Sequence, residues 1–488
     1  MKNLNDIKVI KQKTNQSKNS LINGIYKETS YGRTENDALT FIRSSSSLLD
    51  FYAQAGAMRD KPNEALNLFK KAFAEDRLKA IKILYYLRDI RGGQGERKLF
   101  RICLQWIGEI YQDIFEKIIE YVPEYGRWDD LFFDNDKCFK MIKKQLNIDY
   151  KTEQPSMLVK WIPTINASSI STKAKAKIIA DKIGLDYITY RKVVRNIRKK
   201  IAIVEEKMSA KQWGKINYSS VPSQASRIYR NAFKKHDEKR YNNFIEKAEK
   251  GEVKIQAGTL YPYQIYKSVK KDYSKTLESL WNQLPDYTQN KNAIVVADTS
   301  GSMSGDPMAV SISLALYFAE RNKGQFKDYF ISFSEQPKLH KIQGENLIDK
   351  MNSIELGDVS NTNIQAVFDL ILNTGIQNNI PQEEIPKIIY IISDMEFDNA
   401  TGGYGKDNTN HEVIKNKYKQ SGYNMPSIVF WNVNSSGENL PAQNQEQNVT
   451  LVSGFSPVIF KMAVENKSPI EIMLETINSE RYKNIIIN

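Results

Sequence analysis

Two acids and three hydroxyls have the types and spacing to do chemistry together. Asp298-Thr299-Ser300-Gly301-Ser302 sets a carboxylate and two serines on alternate residues of one short turn, with a glycine between the serines. Gly301 lets the backbone fold tightly enough for all three oxygens to face one point. Hard oxygen ligands of this kind suit Mg²⁺ or Mn²⁺ rather than a soft metal. A single turn cannot fill an octahedral shell, so other loops have to contribute. Asp394 follows the apolar run from Lys387 to Ser393, and Thr362 opens an amphipathic helix from Ile364 to Leu372. The competing reading is that Asp298 and the serines only cap the next helix.

These residues need elements to hold them. Ala293 to Ala297 is apolar and β-branched, ends in Asp298, and is followed by helix-forming sequence from Met308 to Arg321. Further strands are expected at Asp328 to Phe333, at the run ending in Asp394, at Ser427 to Asn432 and at Val449 to Ser453, with a helix from Asn410 to Gln420. Strands alternating with helices predict an α/β doubly wound sheet, because parallel strands need crossover connections. Ligands of such sheets sit at the strands' carboxyl ends, where Asp298 and Asp394 fall.

The pattern DxSxS, a threonine loop and a strand ending in Asp resembles the metal-ion-dependent adhesion site (MIDAS) of von Willebrand factor A domains, whose sheet is Rossmann-like. The resemblance implies that Ser300, Ser302 and Thr362 ligate Mg²⁺ (or Mn²⁺) directly. Asp298 and Asp394 would act directly or through water, and one position would stay open for an acidic side chain of a protein partner. No residue of a type suited to act as general base lies in these loops, so no catalytic residue is assigned and the protein is expected not to be an enzyme.

The chain has 488 residues, enough for two or three domains. Its formal charge of +13 is unevenly spread. From Lys291 onward there are 16 basic and 23 acidic residues, against 54 basic and 34 acidic before it. The first part suits a polyanion such as RNA; the second does not. Cys103 and Cys138 sit in amphipathic patterns and read as buried thiols of a reducing compartment. Three scattered histidines make a zinc site improbable. With no apolar signal sequence near Met1 and no membrane-length apolar run, the chain is expected to be cytoplasmic, without a membrane partner, and monomeric.

Residues 1–40 are polar and read as a loosely ordered N-terminal arm. Helical periodicity runs through 41–284, including Leu66, Phe69 and Phe73 on one face and Cys103, Ile107, Ile110 and Ile114 on another. Short breaks between these segments predict an α-solenoid of degenerate, HEAT-like repeats. The A domain then occupies 291–465, with a C-terminal helix and tail over 466–488. Arg91-Gly92-Gly93-Gln94-Gly95-Glu96-Arg97 admits two readings. Its backbone amides could hold a phosphate, with Arg91 and Arg97 as RNA contacts, or it is a helix cap and turn. Between Lys173 and Lys250 the helices are strongly basic. Arg191, Arg195, Arg198 and Lys199 fall within reach of one helix face, and Arg227, Arg230 and Lys234 form a second cluster. These are the candidate RNA contacts, whereas Tyr229, Phe233 and Tyr241 at helical spacing read as core.

The strings Trp128-Asp129-Asp130-Leu131, Lys160-Trp161-Ile162-Pro163, Val221-Pro222-Ser223-Gln224-Ala225 and Asp394-Met395-Glu396-Phe397-Asp398 resemble an uncharacterised, DUF2828-like family. Its members carry such a helical region ahead of an A domain. More distantly, the architecture is similar to the Ro autoantigen, in which a ring of HEAT-like helices (the TROVE module) is closed by a von Willebrand A domain. That similarity implies a non-enzymatic, RNA-binding ribonucleoprotein component: a basic helical ring holding small non-coding or misfolded RNA, and a metal-binding A domain closing the ring or recruiting a partner. The alternative is a metal-dependent protein-interaction module without RNA.

Overall fold

Buried β-branched runs pair as parallel strands only when both faces are covered, and the sequence has several such runs. In the computed structural model, which describes residues 31–487 apart from 37, 202, 290, 334–335, 355–361, 399–408 and 436–438, they build one sheet. Strands β3 (Ala293–Asp298), β4 (Tyr329–Phe333), β6 (Ile388–Ser393), β7 (Ser427–Asn432) and β8 (Val449–Ser453) are parallel, and β5 (Lys338–Lys341) adds an antiparallel edge. The order is β5-β4-β3-β6-β7-β8. Every residue of β3 and of β6 is buried. Strand β5, Lys-Leu-His-Lys, is mostly exposed. Charged, exposed residues are what an edge strand tolerates, and they hide it from a hydrophobicity reading.

The chain divides into two compact units, one comprising the residues through Ile83 with 287–343 and 350–479, the other 84–286 with 344–349 and 480–488. The division follows packing rather than the run of helical periodicity, which begins at 41. The polar stretch read as an arm lies outside the described residues up to 30. From Tyr31 it forms a hairpin of β1 (Tyr31–Arg33) and β2 (Leu39–Phe41). Phe41 exchanges backbone hydrogen bonds with Leu440, at 3.0 and 2.7 Å. The helix Ser47–Gln54 packs on β8, and Gly56 donates its N–H to Ser453 Oγ at 3.0 Å. A Cβ on Gly56 would stand 2.8 Å from the Ser453 carbonyl, so only glycine permits this approach. The expected C-terminal helix spans Pro469–Ile477 and belongs to the sheet unit.

Among the described residues, the second unit consists of helices and turns with no strand. Its tail is tied in by Asp89, which receives Arg481 Nε, Arg481 Nη2 at 2.9 Å and the Tyr482 hydroxyl at 3.1 Å. Cys103 and Cys138 are buried thiols, and burial pushes the Cys138 thiol up to about 12. Among the described residues no helix is long and apolar enough to cross a membrane.

Candidate metal centre and basic surface

The sheet order puts the carboxyl ends of β3 and β6 side by side. The chain runs outward from β3 through β4 to β5, then crosses to the other side of β3. The crevice at such a reversal is where α/β sheets bind ligands. Ala297 lies opposite Ile392, so Asp298 comes beside Ser393, and the Ser393 hydroxyl donates to Asp298 Oδ2 at 2.6 Å. Asp298 Oδ1 accepts the Ser300 N–H at 2.9 Å, which folds the loop back over the strand end. Ser300 and Ser302 then stand with hydroxyl oxygens 3.1 Å apart, Ser300 buried and Ser302 at the surface.

Asp394 continues from β6 into the same crevice. Its Oδ1 accepts the Glu396 N–H at 3.2 Å, while Oδ2 is buried with no hydrogen-bond partner among the described residues. Burial, followed by the neighbouring charge of Asp394, pushes the Asp298 carboxyl up to about 6. Burial also raises Asp394, an effect that the nearby Ser302 hydroxyl partly offsets. Two desolvated acids with one oxygen unsatisfied and two serine hydroxyls beside them form a donor set that a hard divalent cation fits. Among the described residues, no three His, Cys, Asp or Glu side chains gather as a metal cage, so any ion here depends on the hydroxyls.

Thr362 is buried nearby, and its hydroxyl donates to the Glu396 carbonyl at 2.6 Å. Residues 357–361 of its loop lie outside the described residues. Sequence reasoning missed three supports of this edge: Ser393, Glu396 and Asn36. Asn36 Nδ2 reaches both Thr362 Oγ1, at 3.1 Å, and the Glu396 carbonyl, at 2.9 Å. The Glu396 carboxylate accepts the Glu35 N–H and Asn439 Nδ2, each at 2.7 Å. Ser393 was discoverable as the residue preceding the strand-end acid. Nothing local marked Asn36, which lies 326 residues from Thr362.

In the helical unit the candidate cations separate into two groups. Arg191, Arg195 and Lys199 are exposed on and just beyond the helix Tyr187–Arg198, and Lys234 is exposed on the helix Ser223–His236. Arg198 departs from the expected common face: it turns inward and donates to the carbonyls of Val159 at 2.6 Å and Ile162 at 2.7 Å. Arg227 bonds Ser268 and Gln224, and Arg230 bonds the Arg227 carbonyl and pairs with Asp272 at 3.3 Å. Phe233 and Tyr241 are buried against Tyr218, as core aromatics are.

The glycine turn resolves to its structural reading. The amides of Gly93 and Gly95 bond the Asp89 carbonyl, that of Gln94 the Tyr86 carbonyl, that of Glu96 the Leu87 carbonyl, and that of Arg91 the Asp89 carboxylate. Those donors are used by the chain itself, so the turn is no phosphate cradle. Arg91 and Arg97 remain exposed on either side of it.

Residues 34–111 and 143–300 match the model of a domain of unknown function (DUF2828), and 292–484 match that of another (DUF7788). The uncharacterized protein L728 of Acanthamoeba polyphaga mimivirus is 28% identical over 93% of this chain and 88% of its own length. Among solved structures, the Deinococcus radiodurans RO (RSR) protein aligns over 87% of this chain and 93% of its own with a TM-score of 0.33 and 10% identity.

Proposed function

We propose that this is a non-enzymatic RNA-binding protein whose basic helices hold the nucleic acid, while a von Willebrand A-type domain binds Mg²⁺ at the sheet's carboxyl edge to engage a protein partner. The observation that carries the RNA reading is the confinement of charge. Between Lys151 and Lys235 there are 19 basic and 5 acidic residues, whereas the rest of 84–286 is close to balanced, at 20 and 20. A solvated helical surface needs no such segregation, and a phosphate backbone rewards it. Arg191, Arg195, Lys199 and Lys234 are among the exposed cations of that stretch and are the proposed RNA contacts.

The unsatisfied Asp394 oxygen supports the second half of the proposal. Asp298, Ser300, Ser302 and Asp394 would hold Mg²⁺ (or Mn²⁺), with Thr362 as the remaining family ligand. A bound ion supplies an open Lewis-acidic position for a partner's carboxylate. Ser393 and Glu396 position these groups without binding the ion.

Fluorescence anisotropy with single-stranded RNA across a salt series tests the RNA reading. Affinity should fall steeply, with a slope near −0.7 per phosphate contact. Arg191→Glu, Arg195→Glu and Lys199→Glu together should weaken binding at least tenfold, and Asp298→Ala should leave it unchanged. Binding that is flat in salt, or indifferent to the triple variant, would overturn the reading.

A further inference from the structure

The helical unit has a second concentration of positive charge, outside the basic stretch, built from Arg88, Arg97, Arg101 and Arg127 around Asp129 and Asp130. Asp130 is fully buried and takes Arg88 Nε at 2.8 Å, Arg101 Nε at 2.7 Å and the Arg127 N–H at 3.0 Å. Asp129 takes Arg127 Nε at 2.9 Å and Nη2 at 2.7 Å, and Arg101 Nη2 lies 2.8 Å away. Nη2 of Arg88 and of Arg101, both buried, are in ion-pair range of these acids without a properly directed hydrogen bond. The two carboxylates are therefore saturated by three guanidiniums.

Arg97 is the fourth, and it has no carboxylate of its own. Its carbonyl accepts the Arg101 N–H at 3.1 Å, but among the described residues its guanidinium makes no hydrogen bond or ion pair. Partial burial, with repulsion from Arg127, Arg88 and Arg101 outnumbering the attraction of Asp129, lowers its affinity for its proton. It precedes the helix Lys98–Ile110, whose start has no capping side chain and no acid in its first turn. Arg97 and Arg101 are one helical turn apart and share a face. Arg127 is fixed by stacking 3.9 Å over the Trp161 ring. Four arginines against two acids, three of them held in place and Arg97 left over at an uncapped helix start, lack an anion.

We propose that Arg97, Arg101 and Arg127 form a phosphate-binding site. Planar guanidiniums held by Asp129, Asp130 and Trp161 are preorganised to donate to phosphate oxygens, and Arg97 supplies a charge that is paired with no carboxylate among the described residues. The phosphate comes either from an RNA backbone, in which case the site rests on the RNA reading and extends it beyond the basic stretch, or from a free phosphate or nucleotide.

Arg97→Gln is the variant of choice because Arg97 holds nothing else in place; Arg97→Lys is its conservative partner. The full chain is titrated with inorganic phosphate by calorimetry, against chloride at matched ionic strength, and with single-stranded RNA by anisotropy. Phosphate binding lost in Arg97→Gln and partly kept in Arg97→Lys supports the site. If RNA is the source, Arg97→Gln also weakens RNA binding about three- to tenfold and flattens the salt slope by about 0.7, the loss of one contact. Phosphate binding lost in Arg97→Gln with no RNA binding by the unaltered chain supports the site with a free phosphate as its source, while removing the RNA reading. Unaltered protein that binds RNA but not phosphate, with Arg97→Gln matching it in affinity and slope, overturns the site and leaves the RNA reading standing.

Discussion

At the sheet's carboxyl edge, Asp298 and Asp394 are buried with no basic side chain bonded to either among the described residues. In the helical unit, Asp129 and Asp130 hold three arginines between them. Burial raises the proton affinity of carboxylates in both places. At Asp129 the charges of Arg127 and Arg101 more than offset it, and the carboxyl ends below its ordinary range. At Asp298 hydrogen bonds from Ser300 and Ser393 offset it only in part, no cation helps, and the carboxyl is pushed up to about 6. One edge is short of a cation and the other cluster has cations to spare, which is why Mg²⁺ is proposed for the first and phosphate for the second.

The comparison breaks most visibly at Asp130. Replacing it with Ala leaves Arg88, whose side chain is 4% exposed, without its partner. Such an uncompensated buried charge costs about 3–5 kcal/mol, to be read by urea denaturation. Asp50 sharpens the comparison within the sheet unit, as a buried acid away from the proposed metal. Burial raises it to about 6, against Ser44 hydrogen bonds that pull the other way. A carboxyl raised above its unfolded value of 3.8 contributes stability below that value and loses it as pH rises through about 6. Asp50→Asn should therefore stabilise the unit at pH 7.5, by at most about 3 kcal/mol, with the gain shrinking toward pH 4.

Asp298→Asn removes charge as well, but with the opposite expected consequence. Mg²⁺ at one hundred times its Kd should stabilise the unaltered chain by about 2.7 kcal/mol and the variant not at all. Equal Mg²⁺ stabilisation of the two would remove the metal proposal. Ser393→Ala, which deletes one hydrogen bond to Asp298, should cost about 1 kcal/mol in thermal unfolding and weaken Mg²⁺ binding only modestly.

Strands β3, β6, β7 and β8 were legible because each is dominated by apolar and β-branched residues, and an acid at the end of β3 and just past β6 is a local signal. The hairpin from Tyr31 and the exposed edge β5 were not, because polar residues on short strands carry no periodicity. Charge pattern alone also did not reveal that Arg198, Arg227 and Arg230 would turn to carbonyls and side chains of the fold. Helical spacing names a face, but packing decides whether a long cation reaches solvent or bends inward. The placement of Asn36 beside Thr362 is tertiary and had no sequence signal.

The most direct test of the RNA reading is to purify the protein from its own host cells, recover any nucleic acid it carries, and sequence it. Discrete small RNAs, enriched over total RNA and depleted when Arg191, Arg195 and Lys199 are changed to Glu, are the predicted result. A preparation free of nucleic acid, with a protein bound stoichiometrically and released by Asp298→Ala, would contradict it and leave the metal-dependent interaction module as the function.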